Sequence, residues 1–270
     1  YGDVCREADE DEIQAIIRSF VQAIVNAKRA AFDGVELHAA HGYLLSEFIS
    51  PVLNRRRDGW GGPLDNRLRI VREIIQQARP QVGAFPILVK ISARDEHTGG
   101  ITDDDAVEIA RSLKESSCDA IEVSCGYGDF FNTVRMTGLP IDAILHFAPG
   151  YRDLPLIRKR LMKLGTFFSG RVRKPLHNYN VDIAERIRRE ADIPVIAVGG
   201  IRDLQDITRF ITDRGIDFVS LSRPFIIEPD IVDRFRTGSR ERSRCIDCGY
   251  CLIGVTSRPL QCYYGRLPRI

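Results

Sequence analysis

Apolar and polar residues along this chain follow two different periods. From residue 9 to residue 29, apolar side chains recur at helical spacing: Ile13, Ile16, Ile17, Phe20, Ile24 and Val25. Beyond this helix, short apolar runs such as ILVKIS, IEVS, VIAV and FVSLS are separated by longer amphipathic stretches. Runs that are apolar at nearly every position are typical of strands covered on both faces. The pattern predicts repeated strand–helix units, and hence a parallel α/β fold.

The same pattern gives bounds for each element. Strands are predicted at 34–38, 86–92, 120–124, 194–198 and 218–221. Helices are predicted at 9–29, 66–79, 103–116, 181–190 and 204–213, and a last helix is expected to begin near Pro229. Thr102 is the expected N-cap of the third helix. Residues 126–180 give no clear period and are predicted to be irregular and basic.

Polar side chains with useful chemistry follow the first strand. His38 ends the strand, and His41 and Tyr43 come directly after it. Glu36 and His38 share one face of the strand because side chains alternate. Neutral imidazoles can hydrogen-bond a carbonyl oxygen or an oxyanion, although a lone histidine is more often a core residue and H-x-x-H also suits a metal. The carboxyl edge of the sheet is where α/β enzymes place such groups.

The segment FDGVELHAAHGYLLSEFISPVLNRRRDGWGGPLDNRLRIVR, residues 32–72, resembles the old yellow enzyme family of flavin-dependent NADH:flavin oxidoreductases. That family carries GVE-x-H-x-A-[HN]-GYL and then SP-x-x-N-x-R-x-D-x-[YW]-GG-x-x-x-NR. The resemblance implies an FMN-binding (β/α)8 TIM barrel. It also implies that His38 and His41 hydrogen-bond the substrate oxygen and that Tyr43 protonates the substrate α-carbon. A phenol with a pKa of about 10 suits that last role.

The chain falls short of a whole barrel. A (β/α)8 barrel needs eight strands and typically about 250 residues, whereas the pattern supplies five strands. The HAAH strand resembles the family's fourth, so this chain is expected to supply strands four to eight; an open five-stranded sheet is the alternative. The start at Tyr1 suggests a fragment. We expect residues 1–238 to form the C-terminal part of the barrel, with a loop or lid at 126–180, and residues 239–270 to form a Cys-rich segment.

Five further residues are candidate FMN contacts. Lys90 lies in the apolar strand ILVKIS, where a cation needs an anionic partner unless it reaches solvent at the strand end. The family usually has Arg there, against the N1/O2 edge of the flavin, and Lys supplies the charge without the bidentate fork. Gly199-Gly200 and Ser222-Arg223 follow the last two strands, where barrels bind phosphate. Their segments resemble the FMN-phosphate segments of the family, with Ser222 replacing the commoner Gly.

Four of the seven cysteines are closely spaced: Cys245, Cys248, Cys251 and Cys262. This C-x2-C-x2-C-x10-C pattern favours an iron–sulfur cluster, with zinc second and disulfides third. The segment resembles the cluster loop of the branch of the family that contains 2,4-dienoyl-CoA reductase and trimethylamine dehydrogenase, which implies a [4Fe–4S] cluster. The other cysteines (Cys5, Cys118 and Cys125) are expected to be ordinary thiols.

Composition narrows the function further. The net charge of +2 over 270 residues gives no support for nucleic-acid or membrane binding driven by net charge. The polar, acidic first residues do not read as a secretory signal, so a reducing cytoplasm is expected. The sequence predicts an FMN enzyme that uses NAD(P)H to reduce an activated C=C bond of a small molecule. The alternatives are an iron–sulfur flavin dehydrogenase of the amine dehydrogenase type, and a non-catalytic fragment or electron-transfer subunit. A homo-oligomer, or a chain that supplies the missing strands, is a further expectation.

Overall fold

A computed structural model describes residues 6–95, 97–127, 134–168 and 177–267 of the chain. The strands are β1 (Val35–Ala39), β2 (Ile87–Ser92), β3 (Ala120–Ser124), β4 (Val195–Val198) and β5 (Phe218–Ser220). The first helices are α1 (Glu10–Arg29), α2 (Leu44–Ile49), α3 (Leu64–Val82), α4 (Asp103–Glu115), α5 (Ile141–Phe147) and α6 (Leu156–Phe168). The later helices are α7 (Val181–Ala191), α8 (Leu204–Thr212), α9 (Arg223–Ile227), α10 (Ile231–Arg236) and α11 (Tyr250–Gly254).

The strands form one sheet in the order β1-β2-β3-β4-β5, so β1 and β5 are its end strands. The first four strands pair in parallel, as expected when each is joined to the next through helices. In this register His38 lies opposite Lys90, and Lys90 lies opposite Glu122. The prediction of a parallel α/β sheet with five strands is confirmed, and it is consistent with part of a barrel.

Two capping boxes fix helix starts that the sequence predicts. Asp9 accepts a hydrogen bond from the backbone N–H of Glu12, whose side chain bonds back to the backbone of Asp9. Thr102 and Asp105 make the same reciprocal pair at α4, and Thr102 is the N-cap that the sequence predicts. Each box satisfies backbone donors that the first helical turn leaves without partners.

The chain forms two compact units. The first contains residues 1–129 and 182–197, and the second contains residues 130–181 and 198–270. In the first unit, α3 buries Leu68, Val71, Ile74 and Ile75. In the second unit, Ala143, Phe147 and Tyr263 form a small core, and the rings of Phe147 and Tyr263 lie 4.8 Å apart.

The segment at 126–180 differs from expectation in its described part. It contains helices α5 and α6, so the prediction of an irregular segment was wrong there. The apolar period was hidden because α6 carries basic residues between its apolar ones. Residues 128–133 and 169–176 of this segment lie outside the described residues, and the lid role stays a prediction. In the part of the chain that the structure describes, we find no helix whose length and hydropathy would let it cross a bilayer.

Candidate active site and cysteine cavity

The chain reverses sharply after β1 and so presents His41 and Tyr43 beside His38. His41 has a φ of 65° and Gly42 a φ of 76°, both in the left-handed region. This backbone is unfavourable for histidine, and it is held by a hydrogen bond of 3.0 Å from the His41 N–H to the hydroxyl of Ser92. The Ser92 hydroxyl in turn donates to the carbonyl of Gly126 at 2.7 Å. Strain that neighbouring groups hold in place is typical of functional sites.

The three predicted catalytic side chains converge within the first unit. The His38 ring lies 5.1 Å from the His41 ring and 5.1 Å from the Tyr43 ring, measured between centroids. Tyr43 is 63% exposed, so its hydroxyl is open to a ligand. The Nε2 atom of His41 lies 2.6 Å from the Ser124 hydroxyl, which fixes the ring orientation.

Both histidines are kept neutral near pH 7. Burial lowers the pKa of His41 to about 4, and the nearby His38 and Lys90 add to the effect. Burial, and then the charge of Lys90, also lower the pKa of His38. A neutral imidazole donates one hydrogen bond without carrying a charge, which suits the polarisation of a carbonyl oxygen.

Lys90 lies between two carboxylates on the same face of the sheet. Its Nζ atom is 3.3 Å from Oε2 of Glu36 and 3.2 Å from Oε1 of Glu122. Burial opposes the charge of Lys90, but Glu122 and Glu36 outweigh it and raise the lysine pKa. Burial and the neighbouring Glu122 raise the pKa of Glu36 to about 7. A cation in this apolar strand needs an anionic partner, and Lys90 has two, Glu36 and Glu122.

The turn after β4 lies in the second unit. Gly199 has a φ of 130° and Gly200 a φ of 70°. A Cβ atom on Gly199 would lie 2.5 Å from the ring of Tyr179 and 2.9 Å from Nδ2 of Asn180. Glycine is therefore required at 199 both for its backbone conformation and for the close approach of the Tyr179 ring.

In the turn after β5, Ser222 faces solvent whereas Arg223 is paired with protein groups. Ser222 is exposed and precedes α9. The Arg223 guanidinium pairs with Oδ1 of Asp247 at 3.2 Å and donates to the carbonyl of Arg135 at 2.8 Å. Arg202 also pairs with Asp247, so one buried carboxylate joins the two turns. The role of Arg223 at a phosphate stays a prediction, but its described partners are protein groups.

The four predicted metal-binding cysteines line one small cavity of about 30 Å³ in the second unit. Its wall also includes Arg223, Arg244 and the side chains of isoleucines, among them Ile226 and Ile227. All four cysteines are free thiols. Burial, and then the neighbouring Cys245 and Cys248, together raise the pKa of Cys251 to about 11. The spacing in sequence thus corresponds to proximity in space.

The described residues contain no group of three or more His, Cys, Asp or Glu side chains gathered tightly enough for a single metal ion. A zinc ion draws its thiolates to about 2.3 Å from one centre. In an iron–sulfur cluster the thiolates bind several irons. The described residues therefore show neither a zinc site nor an iron–sulfur cluster.

Sequence reasoning missed several partners of the predicted residues. Glu122 could have been identified because it is the one charged residue in the apolar strand IEVS. Glu36 could have been identified because it shares a face of its strand with His38. Ser92 and Ser124 end their strands at the level of His41, but no local pattern marks them. Asp247 lies between Cys245 and Cys248, where only the fold brings two arginines to it.

Comparison with known sequences identifies relatives that are similar to most of the chain at about one third identity. Over 251 residues it is 34% identical to an NADH oxidase of Thermoanaerobacter brockii, covering 92% of this chain and 33% of that protein. Over 224 residues it is 34% identical to an NADPH dehydrogenase of Geobacillus sp. (strain WCH70), covering 83% of this chain and 54% of that protein. The chain spans about a third to a half of the length of these curated relatives.

Solved structures show the same fold at lower identity. The histamine dehydrogenase from Rhizobium sp. 4-9 matches with a TM-score of 0.71 at 22% identity, over 96% of this chain and 33% of that one. The old yellow enzyme homologue from Zymomonas mobilis matches with a TM-score of 0.61 at 21% identity, over 99% of this chain and 62% of that one. Residues 2–128 match the NADH:flavin oxidoreductase / NADH oxidase family. That match assigns residues 2–128, rather than the whole chain, to this family of flavin oxidoreductases.

Proposed function

We propose that this chain is the substrate-binding part of an FMN-dependent oxidoreductase that uses NAD(P)H to reduce an activated C=C bond. The observation that carries the proposal is the convergence of His38, His41 and Tyr43 at the end of β1. Relatives named NADH oxidase and NADPH dehydrogenase support the use of a reduced nicotinamide. The cytoplasmic location predicted from the cysteines stays a prediction.

The three side chains suit the two ends of an enone or enoate. The neutral imidazoles of His38 and His41 bind the carbonyl oxygen and stabilise the negative charge that develops on it. Because Nε2 of His41 already contacts Ser124, Nδ1 is the ring nitrogen of His41 assigned to the ligand. The exposed Tyr43 hydroxyl supplies the proton to the carbon next to the carbonyl group.

The first unit fits the ring of FMN through its charged face. Bound FMN would supply the hydride for the alkene. Lys90 presents a cation that its two carboxylate partners hold in place, and cations stabilise the negative charge that gathers on a reduced flavin. Glu36 and His38 on the same face are only partly covered by the protein, which leaves room for a planar ligand.

The second unit fits a phosphate less completely. The consecutive positive φ angles at Gly199 and Gly200 and the exposed Ser222 leave backbone and hydroxyl donors for an anion. Arg223 is already paired with Asp247. We therefore assign the phosphate contact first to Gly200 and Ser222, and only second to Arg223.

Titration of the chain with FMN tests the proposal. We expect quenching of flavin fluorescence on binding, and a weaker affinity for Lys90→Met. Lys114→Met is the matched control, because Lys114 makes an exposed ion pair with Asp192 on a helix of the same unit. A chain that does not bind FMN, or that binds it equally well in both variants, would contradict the assignment of Lys90.

The cysteine cavity favours a second candidate, an iron–sulfur flavin dehydrogenase that passes electrons to a partner. Four free thiols around one cavity fit a [4Fe–4S] cluster, since soft thiolates prefer iron–sulfur clusters or zinc to hard cations. Arg223 and Arg244 in the cavity wall already pair with Asp247 and Glu228. The histamine dehydrogenase among the fold relatives shares only the fold.

Metal analysis after anaerobic preparation tests this candidate. A cluster predicts about four irons and about four acid-labile sulfides per chain, and both should be lost in Cys248→Ser. Cys118→Ser is the control because Cys118 is buried in the other unit, at the start of β3. One zinc per chain would make the site a structural staple instead.

A further inference from the structure

Helix α6 presents a stripe of apolar side chains to solvent and its lysines to the protein. Ile157, Leu161 and Leu164 are 71%, 63% and 59% exposed. At a spacing of i, i+4 and i+7, these three residues form one stripe along the helix. Lys159 and Lys163 lie on the opposite face, where they are partly buried. The helix is thus reversed relative to an ordinary surface helix.

The lysines hold the helix in this orientation. Nζ of Lys163 lies 2.7 Å from Oδ1 of Asp142, and Nζ of Lys159 donates to the carbonyl of Arg152 at 2.5 Å. Both contacts lie within the second unit. Rotating the helix to bury its apolar stripe would break both lysine contacts. These contacts therefore keep the stripe facing solvent. An exposed apolar stripe of this kind marks an interaction surface.

Charge decides between the partners that this surface fits. Arg158 and Arg160 are exposed, and at 100° per residue they fall on opposite sides of the stripe. The helix contains four basic residues and no acidic residue. Two copies packed stripe to stripe would bring four arginines together without a carboxylate from either helix. An apolar stripe between cations instead complements an anionic lipid surface.

We propose that α6 binds the surface of an anionic lipid bilayer. The helix axis lies along the membrane plane, with Ile157, Leu161 and Leu164 among the acyl chains and Arg158 and Arg160 at the headgroups. Tyr151, which is 43% exposed just before the helix, is suited to the headgroup level. The net charge of the whole chain is only +2 and therefore does not reveal this locally basic surface. The proposal is independent of the flavin chemistry, because no residue of the candidate active site takes part.

Sedimentation with lipid vesicles tests the proposal on the chain without added flavin. We expect binding to vesicles of phosphatidylcholine mixed with phosphatidylglycerol, little binding to phosphatidylcholine alone, and weaker binding as salt is raised. Leu161→Gln combined with Leu164→Gln should lower the partition coefficient by at least about tenfold. Arg158→Gln combined with Arg160→Gln should lower it by roughly thirtyfold at low salt.

Val232→Gln is the matched control, because Val232 is 53% exposed on α10 and should leave vesicle binding unchanged. Circular dichroism confirms that each variant is folded. Absence of vesicle binding, or equal binding to neutral and anionic vesicles, would overturn the proposal. So would a dimer that Leu161→Gln and Leu164→Gln dissociate without any vesicle binding, since the stripe would then be covered by a second copy.

Discussion

Nζ of Lys90 lies 3.2 Å from Oε1 of Glu122, across the pair of strands β2 and β3. Glu36 on β1 completes a row of three charges over three neighbouring strands. One lysine cannot balance two ionised carboxylates, so the row favours a proton on Glu36. The row therefore couples the charge of the candidate flavin site to pH.

Replacing Glu36 tests this coupling. Burial and Glu122 raise the pKa of Glu36 from 4.5 to about 7. Between these values the folded chain holds a proton that the unfolded chain has released, so the Glu36 contribution to stability is lost as pH rises through this window. Glu36→Gln should flatten the fall in free energy of unfolding over that window, measured by urea denaturation. Glu115→Gln, an exposed carboxyl outside the row, should keep the original slope. An unchanged slope in Glu36→Gln would assign the proton elsewhere.

His38→Ala removes one donor to the substrate oxygen. We expect the Kd for a phenolate ligand on the FMN-loaded protein to rise by about 10- to 100-fold, as for the loss of a hydrogen bond to a charged group. The shift of the flavin absorption spectrum on ligand binding measures this Kd. His146→Ala, whose imidazole instead contacts the carbonyl of Asp142, is the control. Equal affinities in the two variants would remove His38 from the ligand site.

Tyr43→Phe removes the proposed proton donor and little else, because Tyr43 is exposed. We expect reduction of the bound flavin by NAD(P)H to keep its rate, while reduction of an enone slows by about 10²- to 10⁴-fold. Stopped-flow measurement separates the two half-reactions, and Tyr151→Phe is the control. A variant slowed only in the nicotinamide half-reaction would show that the role of Tyr43 is a different one.

Gly199→Ala should destabilise the chain by about 1–3 kcal/mol, since the added Cβ would meet the Tyr179 ring from a backbone that L-residues rarely adopt. Gly138→Ala should be nearly neutral, because a Cβ there meets no atom within 4 Å in the described structure and its φ is not positive. Urea denaturation of both variants measures the difference. Equal stabilities would mean that the turn relaxes without cost.

Asp247→Asn leaves Arg202 and Arg223 without their shared carboxylate. Asp247 is 3% exposed, and removing one partner of a buried ion pair costs about 3–5 kcal/mol. Asp230→Asn breaks an exposed pair with Arg234 and should leave the free energy of unfolding almost unchanged. For the same reason, Arg223→Ala should weaken folding as well as any phosphate contact. An unchanged free energy of unfolding in Asp247→Asn would show that Arg202 and Arg223 become solvated when they lose the carboxylate.

The sequence predicted the strands and the first helices well because their periods are strong. The strand at 120–124 agrees with β3 at both ends, and α4 begins after its expected N-cap Thr102. Helices α2, α5, α6, α9 and α11 were missed. Four of them have seven or fewer residues, which is too few for a helical pattern of apolar residues to be recognised. In α6 the apolar stripe faces solvent, so its pattern does not mark a buried face.

The candidate site was predictable from the sequence where its residues lie close together along the chain. His38, His41 and Tyr43 lie within six residues, and four cysteines lie within eighteen, so proximity in sequence led to proximity in space. Partners from distant segments were not predictable in this way. Glu122 reaches Lys90 only through strand register, and Asp247 reaches Arg202 only through the packing of the second unit.

The end strands of the sheet have a practical consequence. Within the described residues, β1 and β5 each have a neighbour on one side only, and Phe218 on β5 is 58% exposed. Such edges accept further strands readily. Strands of a separately expressed fragment, added in trans, would therefore pair with β1 or β5 and extend the sheet.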